Sequence, residues 1–212
     1  MTAKPTAFLV DYGMGNLGSV SKALEHVGFK VVRGNDPAGL KEADAVVLPG
    51  VGAFGDAVNN LKGLNLWEPL KETILVEKKP FLGICLGLQL LFEKSYEFGE
   101  HEGLSIFKGE VLHFGEKVHK VPHMGWNEIH VKREHPVLEG FKEGDFFYFV
   151  HSYYVSPSDS SVILTETDYD RFFFTSSVAK DNVVAFQFHP EKSQRKGLKL
   201  LENFRRWVGK DF

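Results

Sequence analysis

Short apolar runs bounded by glycine and proline alternate with stretches of helical periodicity in the first part of the chain. Residues 7–10 form an apolar run of strand length, and the Gly-rich residues 11–16 read as a loop. Leu17, Val20, Ala23, Leu24 and Val27 then recur at helical spacing, and Gly28 ends the helix. Residues 29–33 read as a strand and Asn35-Asp36-Pro37 as a turn. The run 45–48 is stopped by Pro49-Gly50. A helix is predicted within 66–78, a strand over 80–84 and a helix over 86–92.

Strands alternating with helices imply parallel pairing and a sheet covered on both faces. The second half reads differently. Residues 111–114, 127–132, 146–155, 162–165, 172–178 and 183–188 look like strands with few helices between them, which predicts an antiparallel extension of the sheet. Ser193 is placed to cap a last helix with Leu198, Leu201, Phe204 and Val208 on one face. The expected fold class is α/β, with a mostly parallel central sheet flanked by helices and an antiparallel extension. No linker, repeat or low-complexity stretch interrupts the pattern, so one domain over residues 1–212 is expected.

Composition narrows the function classes. With 212 residues, 43% of them hydrophobic, the chain fits one α/β domain with a sizeable core rather than a disordered or membrane protein. The net charge is −3 and the basic residues are scattered, so no stripe suited to nucleic acid is formed. Cys85 is the only cysteine, which rules out an internal disulfide and implies no oxidising compartment. The first apolar run is too short for a signal-peptide core or a membrane span, and a cytosolic location is expected.

Gly13-Met14-Gly15-Asn16-Leu17-Gly18 has the G-x-G-x-x-G form, after a predicted strand and opening a predicted helix, with Asp36 near the end of the next strand. One reading is a dinucleotide site. The other is a Gly-rich turn whose small residues allow close packing or the approach of a partner. The dinucleotide reading explains nothing after residue 40, and another group of residues explains more.

Gly83-Ile84-Cys85-Leu86-Gly87 joins a predicted strand to a predicted helix in the G-x-C-x-G form, the cysteine version of a nucleophile elbow. The sharp turn leaves no room for side chains beside the nucleophile and lifts the sulfur above the sheet. A helix starting near Leu86 points its N-terminus at the sulfur, which favours thiolate. The N–H after the nucleophile can hold an oxyanion. The competing reading is a buried structural cysteine.

A thiol nucleophile needs a base, and nine histidines compete for the role. His26 sits in a helix, and His101, His113, His119 and His130 lack informative context. His119 and His123 are four apart, but Pro122 between them argues against a helical metal pair, and no Cys/His cluster suggests zinc. Two histidines precede proline. His135-Pro136 stands between polar segments. His189-Pro190 ends an apolar strand, where open α/β sheets place their sites, with Glu191 two residues on to orient the imidazole. His189 is the better base; the competing reading of Glu191 is an acid at the start of a helix. Leu48-Pro49-Gly50-Val51-Gly52 also follows a strand, and its glycines let a peptide N–H serve as a second oxyanion donor, or make an ordinary turn.

Cys85, His189 and Glu191 in this chain order, with Gly83-Ile84-Cys85-Leu86-Gly87-Leu88-Gln89, closely resemble the class I (triad) glutamine amidotransferases. More specific pieces resemble one branch, whose glutaminase serves a (βα)8-barrel cyclase in histidine biosynthesis. They are Asp11-Tyr12-Gly13-Met14-Gly15-Asn16, Pro49-Gly50-Val51-Gly52, Pro122-His123-Met124-Gly125-Trp126-Asn127, His151-Ser152-Tyr153-Tyr154 and Gln187-Phe188-His189-Pro190-Glu191-Lys192-Ser193. The resemblance covers nearly the whole chain. It leaves residues 132–145 and 156–171 without a usable motif.

The resemblance implies a flavodoxin-like sheet, no cofactor, and a thioester mechanism. Cys85 would attack the side-chain amide of glutamine, His189 would move the protons and Glu191 would orient His189. Gly52, Gln89, Ser152 and Tyr153 would contact glutamine, and the N–H groups of Leu86 and of the Val51-Gly52 turn would form the oxyanion hole. Asn16, His123, Met124, Trp126 and Lys192 would lie at the interface with the barrel cyclase in a heterodimer. The glycines of the Gly50-Val51-Gly52 turn allow two peptide orientations, one of which leaves the oxyanion hole unmade; the partner would select the other. Three other readings remain: the glutaminase of another amidotransferase such as pyridoxal 5'-phosphate synthase, a stand-alone Cys-triad hydrolase, and the dinucleotide-binding protein.

Overall fold

The computed structural model describes residues 4–209. The first part of the chain runs β1 (Thr6–Val10), α1 (Leu17–His26), β2 (Lys30–Gly34), α2 (Pro37–Glu42), β3 (Ala45–Leu48), α3 (Phe54–Gly63), α4 (Trp67–Leu75), β4 (Phe81–Ile84) and α5 (Leu86–Gln89). The rest is mostly strand: β5 (Lys94–Ser95), β6 (His101–Glu102), β7 (Gly109–His113), β8 (His123–Val131), β9 (Asp145–His151), β10 (Tyr153–Pro157), β11 (Ile163–Tyr169), β12 (Phe172–Lys180) and β13 (Val183–Phe186). The last helix is α6 (Gln194–Trp207).

The sheet begins β2-β1-β3-β4-β13, and every pairing in that stretch is parallel. From β13 onward the pairings to β12, β10 and β7 are antiparallel. A branch leaves β12 through β11 to β8 and β9, also antiparallel. This is the expected mixed α/β architecture. The central strands are hydrophobic on both faces because helices cover both. Ala7, Leu9, Val47, Ile84 and Phe186 join the core under α1 and α6; Phe8, Val10, Val46, Leu48 and Phe81 join the core under α3 and α4. β2 is different. Among the described residues it pairs only with β1, and its Lys30, Val32 and Arg33 are exposed.

Several expectations need correction. Asn35-Asp36-Pro37 is not a turn alone: Asp36 caps α2, accepting from the Gly39 N–H at 2.9 Å, and Pro37 takes the first helical position, where its missing N–H costs nothing. α3 was not predicted, although Phe54, Ala57, Val58 and Leu61 carry its spacing. The helix expected over 86–92 stops at Gln89, so the dipole behind Cys85 is that of a single turn.

The strand expected over 146–155 is two strands. β9 pairs with β8, whereas β10 pairs with β7 and β12. Ser152 stands between them, and its carbonyl accepts from Phe114 N–H at 3.1 Å. Ser193 occupies the N-cap position of α6, but its side chain makes no cap. Its hydroxyl donates to the His189 carbonyl at 2.6 Å and accepts from Tyr148 N–H at 3.0 Å.

The β4–α5 junction is the tightest point of the packing. A Cβ on Gly87 would stand 1.8 Å from the Leu48 carbonyl oxygen, and one on Gly83 would stand 2.9 Å from the Gly87 carbonyl oxygen. A backbone atom cannot retreat as a flexible side chain can, so β3, β4 and α5 would have to separate. Gly87→Ala is expected to lower unfolding free energy by about 3 kcal/mol or more, measured by urea denaturation; an unchanged midpoint would contradict this packing.

Candidate active site

Cys85 follows the last residue of β4 with φ 55° and ψ −108°, a backbone conformation that non-glycine residues avoid. Its N–H donates to the Phe186 carbonyl at 2.8 Å, which continues the β4–β13 ladder into the elbow. Its side chain is buried, with the residue 7% exposed. The sulfur accepts from Gln187 Nε2 at 3.7 Å and lies 4.0 Å from the Val150 carbonyl oxygen.

His189 lies three residues beyond β13. Its N–H donates to the Tyr148 carbonyl at 2.9 Å, and the Ser193 hydroxyl holds its own carbonyl, so β9 fixes the backbone that carries the imidazole. Pro190 then opens a 3-10 turn over Pro190–Lys192 that brings Glu191 back onto the ring. His189 Nδ1 and Glu191 Oε1 are 2.8 Å apart and both side chains are almost wholly buried. A carboxylate accepts only, so Nδ1 carries the proton.

Burial pulls the His189 pKa down. The negative charge on Cys85, together with the hydrogen bond and charge of Glu191, outweighs burial and raises it to about 10. Nε2 nonetheless has no partner in hydrogen-bond geometry. The ring therefore feels the sulfur without an aligned bond, the looser arrangement common to nucleophile–base pairs before substrate binds.

A cavity of about 380 Å³ opens over the sulfur. Val51, Gly52, Cys85, Leu86, Gln89, Ser152 and Tyr153 all line it, as do Glu97, Val150 and His151. Gln89 Nε2 donates to the Tyr153 carbonyl at 3.1 Å and to Gln187 Oε1 at 3.2 Å, tying α5 to β10 and to the segment after β13. Leu86 N–H donates to the Gly50 carbonyl at 3.3 Å. In this orientation of the turn that donor is occupied.

Two lining or supporting residues were not singled out from sequence. Glu97 puts a carboxylate into the cavity wall. Its Oε2 accepts from Phe54 N–H at 2.7 Å at the start of α3, and burial raises its pKa. Gln187 is fully buried and bridges Gln89 to the Cys85 sulfur. Only its place in the Gln187–Ser193 motif signalled it.

The residues expected at an interface separate into two groups. Asn16 and Lys192 are exposed, Met124 is 61% exposed and Trp126 46%. Asn16 also caps α1, accepting from Ser19 N–H at 3.4 Å. His123, by contrast, is buried. Strand side chains alternate, so on β8 the faces of Met124 and Trp126 exclude His123.

His123 instead pairs with His151 across β8 and β9, Nδ1 to Nε2 at 3.0 Å, and His151 Nδ1 bonds the Tyr153 carbonyl at 2.7 Å. Burial pushes their pKa values down to about 4 and about 3, so both rings are neutral near pH 7. His135, the other His-Pro, turns its Nδ1 to Val137 N–H in a separate groove. His119 is exposed beside Asp170. Among the described residues no group of three or more His, Cys, Asp or Glu is placed to hold a metal, and no helix is long and apolar enough to cross a membrane.

The Gly-rich loop 13–18 packs on the turn after β3. A Cβ on Gly15 would lie 3.6 Å from Pro49 Cγ and 3.8 Å from the Gly50 backbone, which is the close-packing reading of that motif.

By fold and site geometry, this is an α/β protein of the elbow-nucleophile class, with a Cys, a His and a Glu at adjoining strand ends. The family model "Glutamine amidotransferase class-I" matches residues 8–207. "Imidazole glycerol phosphate synthase subunit HisH" of Aquifex aeolicus (strain VF5) is 66% identical over 200 residues, covering 93% of this chain and 95% of that protein. The subunit of the same name from Syntrophotalea carbinolica is 51% identical, covering 92% and 97%. A solved structure described as a glutamine amidotransferase superposes with TM-score 0.75 at 16% identity, covering 96% of this chain and 99% of that one, which supports the fold. The chain belongs to the class I glutamine amidotransferases and, within them, to the family of the imidazole glycerol phosphate synthase subunit HisH.

The raised His189 pKa gives a direct test. In the intact protein the ring should stay protonated until the pH approaches about 10, and the stability its charge brings should be complete below about 6.5 and decline as pH rises from there through about 10. Cys85→Ala removes the sulfur's charge and leaves burial to act more strongly, so the ring should lose its proton at lower pH. Histidine ring chemical shifts followed by NMR would read this; the same midpoint in both proteins would contradict the coupling.

Proposed function

We propose that this chain is the glutaminase subunit of an imidazole glycerol phosphate synthase, releasing ammonia from L-glutamine for a (βα)8-barrel cyclase in histidine biosynthesis. The observation that carries the reading is the Cys85 elbow, which lines a cavity of amino-acid size and whose charge acts on the buried His189–Glu191 pair. The Cys85 sulfur attacks the side-chain amide carbon of glutamine. His189, holding the proton of the thiol, passes it to the departing nitrogen, the C–N bond breaks, and ammonia and a glutamyl thioester result. Water activated by His189 then attacks the thioester and releases glutamate with Cys85 restored. Glu191 holds the imidazole in orientation and supports its charge.

Gly52, Gln89, Ser152 and Tyr153 would contact glutamine and the Glu97 carboxylate would pair with its α-ammonium group, a reading supported by their all lining the cavity over Cys85. The N–H groups of Leu86 and of the Val51-Gly52 turn serve the oxyanion once the Gly50–Val51 peptide turns over, which frees Leu86 N–H from Gly50. On the partner side, Met124 and Trp126 share the outward face of β8 with Tyr148 and Val150 opposite them on β9, and Val150 reaches the cavity. Lys192 lies over the Tyr148 ring at 5.8 Å and extends this apolar face. With Asn16, these residues are the surface on which the cyclase docks. Sealed delivery has a chemical reason: at neutral pH ammonia in water is mostly ammonium, which is no nucleophile. The cyclase would use it to form imidazole glycerol phosphate and an aminoimidazole carboxamide ribotide.

Glutamate production from glutamine, alone and with the barrel cyclase plus its ribulosyl ligand, tests the whole reading. Activity should rise strongly with cyclase and ligand and vanish in Cys85→Ala, and stopped-flow should show no full, fast acyl-enzyme burst in the chain alone. A correctly folded chain without glutaminase activity under any of these conditions would remove the assignment; activity indifferent to the cyclase would remove the partner. Glu97→Gln keeps the acceptor for Phe54 N–H but removes the charge. It is expected to raise KM for glutamine roughly tenfold or more with a smaller effect on kcat; an unchanged KM would remove Glu97 from the substrate site.

A further inference from the structure

The turn after β3 has two unlike halves. Pro49 and Gly50 are buried, whereas Val51 and Gly52 are exposed. The buried half is gripped by one side chain from the other end of the Gly-rich loop: the Tyr12 hydroxyl donates to the Pro49 carbonyl at 2.8 Å, and Tyr12 is 2% exposed. A Cβ on Gly50 would meet that same hydroxyl at 2.2 Å and Leu86 Cβ at 2.8 Å, so Gly50 is held between Tyr12 and the residue after the nucleophile. Tyr12 is itself anchored, because Asn60 Nδ2 of α3 donates to its carbonyl at 3.1 Å. Burial, with the charge on Cys85, pushes the phenol far above its ordinary range. The hydroxyl therefore stays protonated and remains a donor.

A peptide can turn over in a controlled way only if its neighbour is fixed. The Pro49–Gly50 peptide is fixed through its carbonyl; the next peptide, Gly50–Val51, carries the carbonyl that occupies Leu86 N–H. We propose that Tyr12 is a positioning residue whose hydroxyl pins the Pro49 carbonyl as the stationary end of a hinge, so that the oxyanion turn moves only at the Gly50–Val51 peptide and lands in register with Leu86 N–H. The role rests on the glutaminase reading above. It acts chiefly on the barrier for attack on the amide, since the developing oxyanion is what needs the Gly50–Val51 peptide aligned, whereas thiol reactivity does not.

The test uses the chain with the cyclase and its ligand. Tyr12→Phe removes the hydroxyl alone. A misplaced donor set should lower kcat for glutamine hydrolysis roughly ten- to hundredfold, with a smaller change in KM and the rate of Cys85 alkylation by iodoacetamide unchanged. Two unnatural residues at position 12 separate the donor from the packing: 4-aminophenylalanine, which keeps a donor at that point, should restore kcat, and 4-methylphenylalanine, which fills the space without one, should not. Unchanged or increased kcat in Tyr12→Phe, a fall shared by the alkylation rate or KM, or equal behaviour of the two unnatural variants would overturn the hinge. Absence of glutamine hydrolysis in the unsubstituted complex would instead overturn the function itself, so the two failures are distinguishable.

Discussion

The structure depends on one ladder, the parallel pairing of β4 with β13. Its register sets Gly83 opposite Ala185 and Ile84 opposite Phe186, and the next backbone bond, from Cys85 N–H to the Phe186 carbonyl, carries the alignment into the elbow. Gln187, one residue on, then falls beside the sulfur, and His189, two further, falls within electrostatic reach of it. Sulfur and imidazole are thus positioned by sheet hydrogen bonds that are among the most buried in the molecule. A slip of one residue on either strand would send them to opposite faces of the sheet. The glycines at 83 and 87 follow from the same constraint, since the elbow can close on β3 only where the chain has no side chains.

The antiparallel half completes what the parallel half begins. β9 supplies the Tyr148 carbonyl that holds His189 and the Tyr148 N–H that holds Ser193. The switch of partners between β9 and β10 brings Ser152 and Tyr153 to the cavity wall, where a continuous strand would have alternated past it. Beneath that wall the neutral His123–His151 pair uses its ring nitrogens for hydrogen bonding inside the protein. These hydrogen bonds tie down one side of the cavity, whereas the exposed half of the turn after β3, Val51 and Gly52, stands on its rim.

What could be read from sequence follows from where each signal resides. β1, β3 and β4 were legible because strands buried on both faces are unbroken apolar runs between glycines and prolines. Cys85 and His189 stood out because each ends such a run. Glu97 did not, because a loop distant in sequence delivers it to the cavity, and no local pattern marks a carboxylate that bonds the start of α3. The division of 146–155 was hidden because its hydrophobic pattern continues through the break; only the pairing partner changes. His123 was placed on the surface with Met124 and Trp126, although the period of two on a strand sends neighbours to opposite faces. α3 was legible and was missed, its spacing preceded by a Gly-rich stretch that reads as loop.

The open edge at β2 has a consequence for how the protein keeps company with itself. Its outer backbone groups have no partner strand among the described residues, and a second chain could in principle add there and continue the sheet. Lys30 and Arg33 stand exposed along that strand with Val32 between them, so an approaching copy would bring like charges together before any ladder formed. Two cations on a five-residue strand thus oppose polymerisation of the molecule through its own backbone, at the end of the strand order away from β13 and the Cys85 cavity.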